Sequence, residues 1–303
     1  MIRLNWLIAL LAAFAPAGTD QDQVRMVELG TLGGHHSRAH AINDRGEIVG
    51  VSSTWDSTRA FLWRDGHMTD LGTLGGRHSV AMDINNRSEI VGWSQTADGS
   101  SHAFLWRDGQ MTDLGTLDGA GGYSTANAIN DYGVIVGDNG GPNGLQAFLW
   151  HGDRMSALGA DPTRAAAINN LGDVVGTNFA DATFTATLWH SGQSTRLGEG
   201  NGMAINDRGQ VVIGDAWLWG RGLLTRIDPP SGATTLGALG INNRGTVVGF
   251  TDLGAFVWNG GRARTLPRAA GDTVASAMDV NDRGQIVGSS GVQEGFMRAV
   301  LWT

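Results

Sequence analysis

The 303-residue chain contains no cysteine, and all 21 of its basic residues are arginine, with no lysine; it has 6 prolines and 2 tyrosines. Lack of cysteine rules out disulfides, thiolate metal sites and a cysteine nucleophile. The 29 acidic residues outnumber the arginines and leave a net charge of −8. That balance argues against a protein that grips nucleic acid or anionic lipid through its overall field. Beyond residue 17 no apolar run approaches the roughly 20 residues needed to span a bilayer. Glycine, by contrast, is abundant at 47 residues, about twice the usual share, and lacks the three-residue period of collagen. Hydrophobic residues make up 41% of the chain, enough for a core, so wholesale disorder is excluded.

The first residues read as an export signal. Arg3 supplies the charge, Leu4 to Phe14 is mostly apolar, and Ala15-Pro16-Ala17 gives a small-x-small end. A membrane anchor is the competing reading, but the run is short and is interrupted by Asn5 and Pro16. We expect residues 1–17 to be a signal peptide and 18–303 one domain, secreted to the periplasm or the exterior. Lacking disulfides, that domain must be stabilised by packing alone.

Self-similarity dominates the rest. A tripeptide ending in Asn recurs at Asn43, Asn85, Asn130, Asn169, Asn206, Asn242 and Asn281, in steps of 42, 45, 39, 37, 36 and 39 residues. A Val-Gly-like pair follows each, ending at Gly50, Gly92, Gly137, Gly176, Gly214, Gly249 and Gly288. Next comes a tripeptide ending in Trp63, Trp106, Trp150, Trp189, Trp219, Trp258 or Trp302. In the second unit the β-type segments are Val80 to Asn85, Ile90 to Ser94, His102 to Trp106 and Gln110 to Leu114, all too short to be helices. Asn43-Asp44-Arg45-Gly46 and its relatives carry hairpin chemistry, with glycine in the left-handed position; Ser88 is the one departure.

Four antiparallel strands in about 40 residues make a propeller blade. The seventh unit lacks a fourth segment before Thr303, while Met26-Val27-Glu28-Leu29-Gly30 supplies an extra copy near the other end. The expected fold is therefore all-β, a seven-bladed β-propeller of four-stranded blades, with the last blade closed by the N-terminal strand. The Asn-ending strand should be innermost, because Ala39 and Ala41, and their relatives, suit a crowded axis. The third-strand tryptophans should fill the wedges between blades.

Ser101-His102-Ala103-Phe104-Leu105-Trp106 and Met111-Thr112-Asp113-Leu114-Gly115-Thr116-Leu117, together with Ala41 to Gly50, resemble the HAF-repeat family of bacterial extracellular proteins. The His-Ala-Phe motif is intact only at His102-Ala103-Phe104, and units four to six drift from the pattern. The resemblance implies export and β-repeat architecture, and brings no catalytic residues with it.

No contiguous catalytic or phosphate-binding motif is present, and no metal site or cofactor is expected. The Asn-Asp-x-Gly turns lack the alternating acids of a calcium loop. Candidate ligand-binding residues are His36, His78 and Tyr123, on connections between blades, and Trp55, Trp93 and Phe179, in the variable loops between second and third strands. Phe184 and Phe250 share those loops, as do the acids Asp56, Asp98, Asp138, Asp181, Asp215 and Asp252. Each set also has a plain structural reading, as loop polarity or as core. The expectation is a monomeric, non-catalytic module that binds an extracellular glycan or protein. The alternative is a polysaccharide hydrolase or lyase, whose mark would be a pair of carboxylates at the channel mouth.

Overall fold

The computed structural model describes residues 24–303 except 118, 120, 142, 143, 160, 161, 181, 182, 215, 293 and 294. The expected export signal, residues 1–17, and the loop acids Asp181 and Asp215 lie outside the described residues. Seven four-stranded antiparallel sheets form a ring, a seven-bladed β-propeller. In the first blade the strands run Ser37–Ile42, Ile48–Ser53, Thr58–Arg64 and His67–Asp70, from the axis outwards. The seventh blade has inner, second and third strands Val274–Val280, Ile286–Gly291 and Met297–Trp302. Its outer strand is Met26–Glu28, in the register Met26 to Trp302, Val27 to Leu301 and Glu28 to Val300. Main-chain bonds extend this closure: Arg25 and Thr303 exchange two at 2.9 Å, and Leu29 N–H reaches the Ala299 carbonyl at 2.9 Å. No helix among the described residues is long and apolar enough to cross a membrane.

The hairpins follow the turn chemistry. Gly46 has φ 84°, and Ser88, which stands where the other turns have glycine, is held at φ 62°, a left-handed conformation costly for a residue with a Cβ. The core lies between blades. Ala41, Val49, Ala60 and Leu62 of the first blade, for example, pack on Ala81, Ile84, Ile90 and Phe104 of the second.

The wedge filling is shared between third-strand phenylalanines and tryptophans, and the tryptophans differ in depth. The third-strand phenylalanines Phe61, Phe104, Phe148 and Phe256 are fully enclosed, at 0% exposure, as is Trp302, while Trp189 and Trp258 are buried at 5% and 8%. Trp63, Trp106, Trp150 and Trp219 are only half-buried.

Strand pairing also explains the Val-Gly pairs. Every inner strand carries a bulge at one equivalent place, between Ala39 and Ala41 in the first blade and between Ala277 and Asp279 in the seventh. The bulge presses a carbonyl against the facing glycine, so a Cβ at Gly50 would lie 2.0 Å from the Arg38 oxygen, and one at Gly137 2.0 Å from that of Thr125. In the fifth blade the pairing corrects the sequence alignment: Ile213, not Gly214, occupies this place, opposite Gly202. Small and large residues have exchanged strands there.

Candidate functional site

The propeller has two ends. The Asn-Asp-x-Gly turns occupy one, the hairpin face; blade-to-blade connections and second-to-third loops occupy the other, the connection face. On the inner wall the bulged residue varies most: His40, Met82, Asn127, Ala166, Met203, Leu239 and Met278. His40 Nδ1 donates to the Ala81 carbonyl at 2.8 Å, and Asn127 Nδ2 to that of Ala165 at 2.8 Å, each crossing to the next blade. Burial holds the His40 imidazole below its ordinary value, against the Ala81 hydrogen bond and with the help of the Arg38 charge.

At the connection face a cavity of about 470 Å³ opens across the second to fifth blades, within the usual range for ligand pockets. Bulge residues Met82, Asn127, Ala166 and Met203 form its wall on the axis side. Phe179 and Phe184 form the rim, packed edge to face with centroids 5.5 Å apart. The polar lining is Asn127, Arg164, Thr177 and Asn201.

A buried carboxylate organises that lining. Asp138, 3% exposed, lies in the strand Ile135–Gly141. Its Oδ2 accepts from Arg164 Nε at 2.9 Å and Asn127 Nδ2 at 2.9 Å, and its Oδ1 from the Ala165 amide at 3.1 Å. Asp138 is thus no loop acid, as its sequence position suggested, but the anchor for an arginine whose side chain stays 57% exposed. Across the cavity Thr177 Oγ1 donates to Asn201 Oδ1 at 3.2 Å.

The hairpin face is closed by two hydrogen-bonded rings. Each of the seven turn asparagines, buried at 3–5% exposure, donates from Nδ2 to the main-chain oxygen of the next one. Asn281 completes the circle to Asn43 at 2.9 Å. Each Oδ1 meanwhile accepts two amides of its own turn, as Asn43 does from Arg45 and Glu47 at 3.0 Å. The following residues, Asp44, Asn86, Asp131, Asn170, Asp207, Asn243 and Asp282, form the second ring: each main-chain N–H donates to the next Oδ1. Asp and Asn alternate, so each asparagine amide bridges two carboxylates. Seven is odd, and the alternation therefore fails once, between Asp282 and Asp44. The axial space inside is about 160 Å³.

Deeper in the wall lie Asp83 and Asp279. Asp83 accepts the Ile84 and Ile129 amides at 2.8 Å, and Asp279 those of Val280 at 2.8 Å and Ile42 at 2.9 Å. Burial pushes Asp83 up to about 7, opposed by the Ile129 bond and reinforced by the Asp279 charge; burial raises Asp279 as well. Among the described residues no group of three or more His, Asp or Glu is arranged to hold a metal ion.

The structure scatters the residues singled out in sequence. Only Phe179 of the six lines the cavity. His36 packs on Phe296 with centroids 4.8 Å apart; His35 touches both Phe296 and Trp55, so His36 and the 86%-exposed Trp55 share a rim cluster where the first and seventh blades meet. His78 turns instead to Thr58, whose amide donates to its Nδ1 at 3.3 Å. Trp93 is half-buried in the strand Ile90–Thr96, and the Tyr123 ring covers Gly140. Asp56 pairs with Arg77 at 3.3 Å, Asp98 accepts the Ser100 amide of its own loop, and Asp252 accepts the Thr234 amide and hydroxyl and the Thr235 amide from the connection before the inner strand. Arg164, Asn127, Thr177 and Asn201 were not anticipated. A charged residue on an inner strand, at Arg164, and polar Asn127 between Ala126 and Ala128 were the available signals.

No family profile matches the chain, and no curated protein matches it in sequence. Solved structures do match. YCF48 bound to the D1 peptide superposes with a TM-score of 0.56 at 13% identity, over 93% of this chain and 95% of that one. An extracellular domain of a hybrid two-component system from B. thetaiotaomicron gives 0.54 at 10% identity, over 91% of this chain and 39% of that one. A protein described as a gluconolactonase gives 0.50 at 11% identity, over 95% and 92%. The likeness is one of fold, and the roles of these proteins differ, so function has to be argued from the site.

Proposed function

We propose that the chain is a secreted β-propeller of the HAF-repeat kind, acting without a cofactor as a monomeric, non-catalytic binding module for an extracellular or periplasmic glycan or protein. Its ligand seats at the connection face. One observation carries this reading: the cavity of about 470 Å³ joins an aromatic rim to oriented polar groups from several blades, the combination that small-ligand and side-chain pockets use. Phe184, 58% exposed beside Phe179, is an apolar surface held out of the core.

The test is a glycan and peptide array probed with the full chain and with Phe184→Ala and Phe179→Ala, in calcium and in chelator. We expect one ligand class to be retained and lost by about tenfold or more in either variant, as for aromatic anchors of an interface. Hits that survive both substitutions would move the site elsewhere, and the Trp55 cluster is then the next surface to vary.

Asp83 and Asp279 favour a second reading, a polysaccharide hydrolase or lyase, because they are two mutually repelling carboxylates on the channel wall. Against it, each spends both oxygens on wall amides and is buried. Glycan consumed rather than retained on the array, and preserved with Asp83→Asn, would establish the enzyme instead.

A further inference from the structure

We propose that the connection-face cavity recognises a carboxylate that carries an apolar group; this rests on the binding reading above and names the ligand chemistry. The site is built on Asp138. Its oxygens are fully engaged by Arg164 Nε, Asn127 Nδ2 and the Ala165 amide, so it acts as a fixed internal support. Holding Nε pins one edge of the guanidinium and leaves the Nη edge on the solvent side, with no partner for the Nη atoms among the described residues. Asn201 is set likewise. Its Oδ1 is occupied by the Thr177 hydroxyl, which leaves the Nδ2 donors to point away, again without a partner among the described residues.

The groups left over are therefore N–H donors, and a planar guanidinium edge matches the two oxygens of a carboxylate. The ion pair with Asp138 has no net charge, so an anion is selected by directed donors and not by a long-range field. That distinction fits an acidic chain with net charge −8, which would repel anions at a distance. The remaining lining is apolar: Phe179 and Phe184 on one side, Met82 and Met203 on the other. A ligand that puts its carboxylate on Arg164 places its body between thioether and aromatic surfaces, both adaptable to flat or branched groups. A free small acid and a peptide C-terminus with an apolar last residue share this chemistry.

Titration calorimetry on the full chain separates the cases with four probes: phenylacetate, phenylacetamide, Gly-Gly-Phe and its C-terminal amide. We expect each acid to bind at least about tenfold more tightly than its amide, the size of one charge-assisted hydrogen bond. The acid that binds more tightly identifies the source. Arg164→Gln alone strands a buried carboxylate, so the working variant is Asp138→Asn with Arg164→Gln, checked for an unchanged circular dichroism spectrum. It should erase the preference for acid over amide while Phe184→Ala weakens acid and amide together. Equal binding of acid and amide, both sensitive to Phe184→Ala, would overturn the carboxylate assignment and leave the binding module standing. Binding of none of the four probes would also overturn it. Array hits indifferent to Phe179→Ala and Phe184→Ala would remove the site and the assignment together.

Discussion

Asp83 and His40 stand on adjacent inner strands, and the fold favours the neutral form of each. For Asp83, held at about 7 against an ordinary 3.8, the folded state binds the proton more tightly than the unfolded chain. Its contribution to stability is present in full below pH about 3.8 and lost as the pH rises through about 7. His40 works in the opposite sense: with its folded value lowered, it costs nothing above 6.5 and destabilises as the pH falls below that. Asp83→Asn keeps the shape and removes the titration. Relative to the parent chain, the variant should gain a few kcal/mol between pH 4 and pH 8, since each tenfold change in proton affinity is worth about 1.4 kcal/mol. Urea unfolding at both pH values measures this, and a difference that does not change with pH would show that Asp83 is ionised in the folded protein throughout. None of this was legible in the sequence, where Asp83 looks like a polar variant of Ala41. Its significance comes from the Ile129 amide of the next blade, 46 residues away.

At the scale of elements, the unit of the fold is an inner strand with a bulge, a hairpin, and a second strand whose glycine receives the bulge carbonyl. Gly137 shows the constraint: a Cβ would lie 2.0 Å from the Thr125 oxygen and 2.9 Å from the Phe148 ring. Gly137→Ala must therefore push two strands apart in a packed blade, and we expect a loss of about 2–3 kcal/mol or more. Gly66→Ala is the comparison, since nothing lies within 4 Å of its Cβ and only its φ of 83° opposes the substitution. If the two cost the same in thermal unfolding, left-handed backbone and not the bulge explains the glycines. Strands, turns and blade order were readable because their signals are local, in alternation and in turn residues at fixed offsets. The candidate site was not, because Arg164 acquires its role from Asp138, 26 residues earlier and on another blade. His36 and His78 show the same limit. They are equivalent in sequence, yet each turns towards the preceding blade, so one meets Phe296 and the other Thr58.

Across the whole molecule, stability depends on closing a circle without disulfides. Two features do this at different radii: the asparagine ring at the axis, completed from Asn281 to Asn43, and the strand Met26–Glu28 at the rim. A closed ring of near-identical interfaces has no end from which to fray, so it should unfold in one transition, unlike an open repeat array. The rim closure is the easier to test, since its bonds alternate. Arg25 pairs with Thr303, and Leu29 donates to Ala299, which places Val27, opposite Leu301, with its N–H directed at the third strand and the N–H of Glu28 directed away. Val27→Pro deletes a ladder bond and clashes with the partner strand, at about 3 kcal/mol. Glu28→Pro loses only the Arg298 contact at 3.4 Å, an exposed pair worth at most about 1 kcal/mol. The first variant should melt well below the second and, with the edge of Met297–Trp302 uncovered, should shift to larger species in size-exclusion chromatography. Equal melting of the two would mean that the rim strand is dispensable, and that the asparagine ring holds the first and seventh blades together by itself.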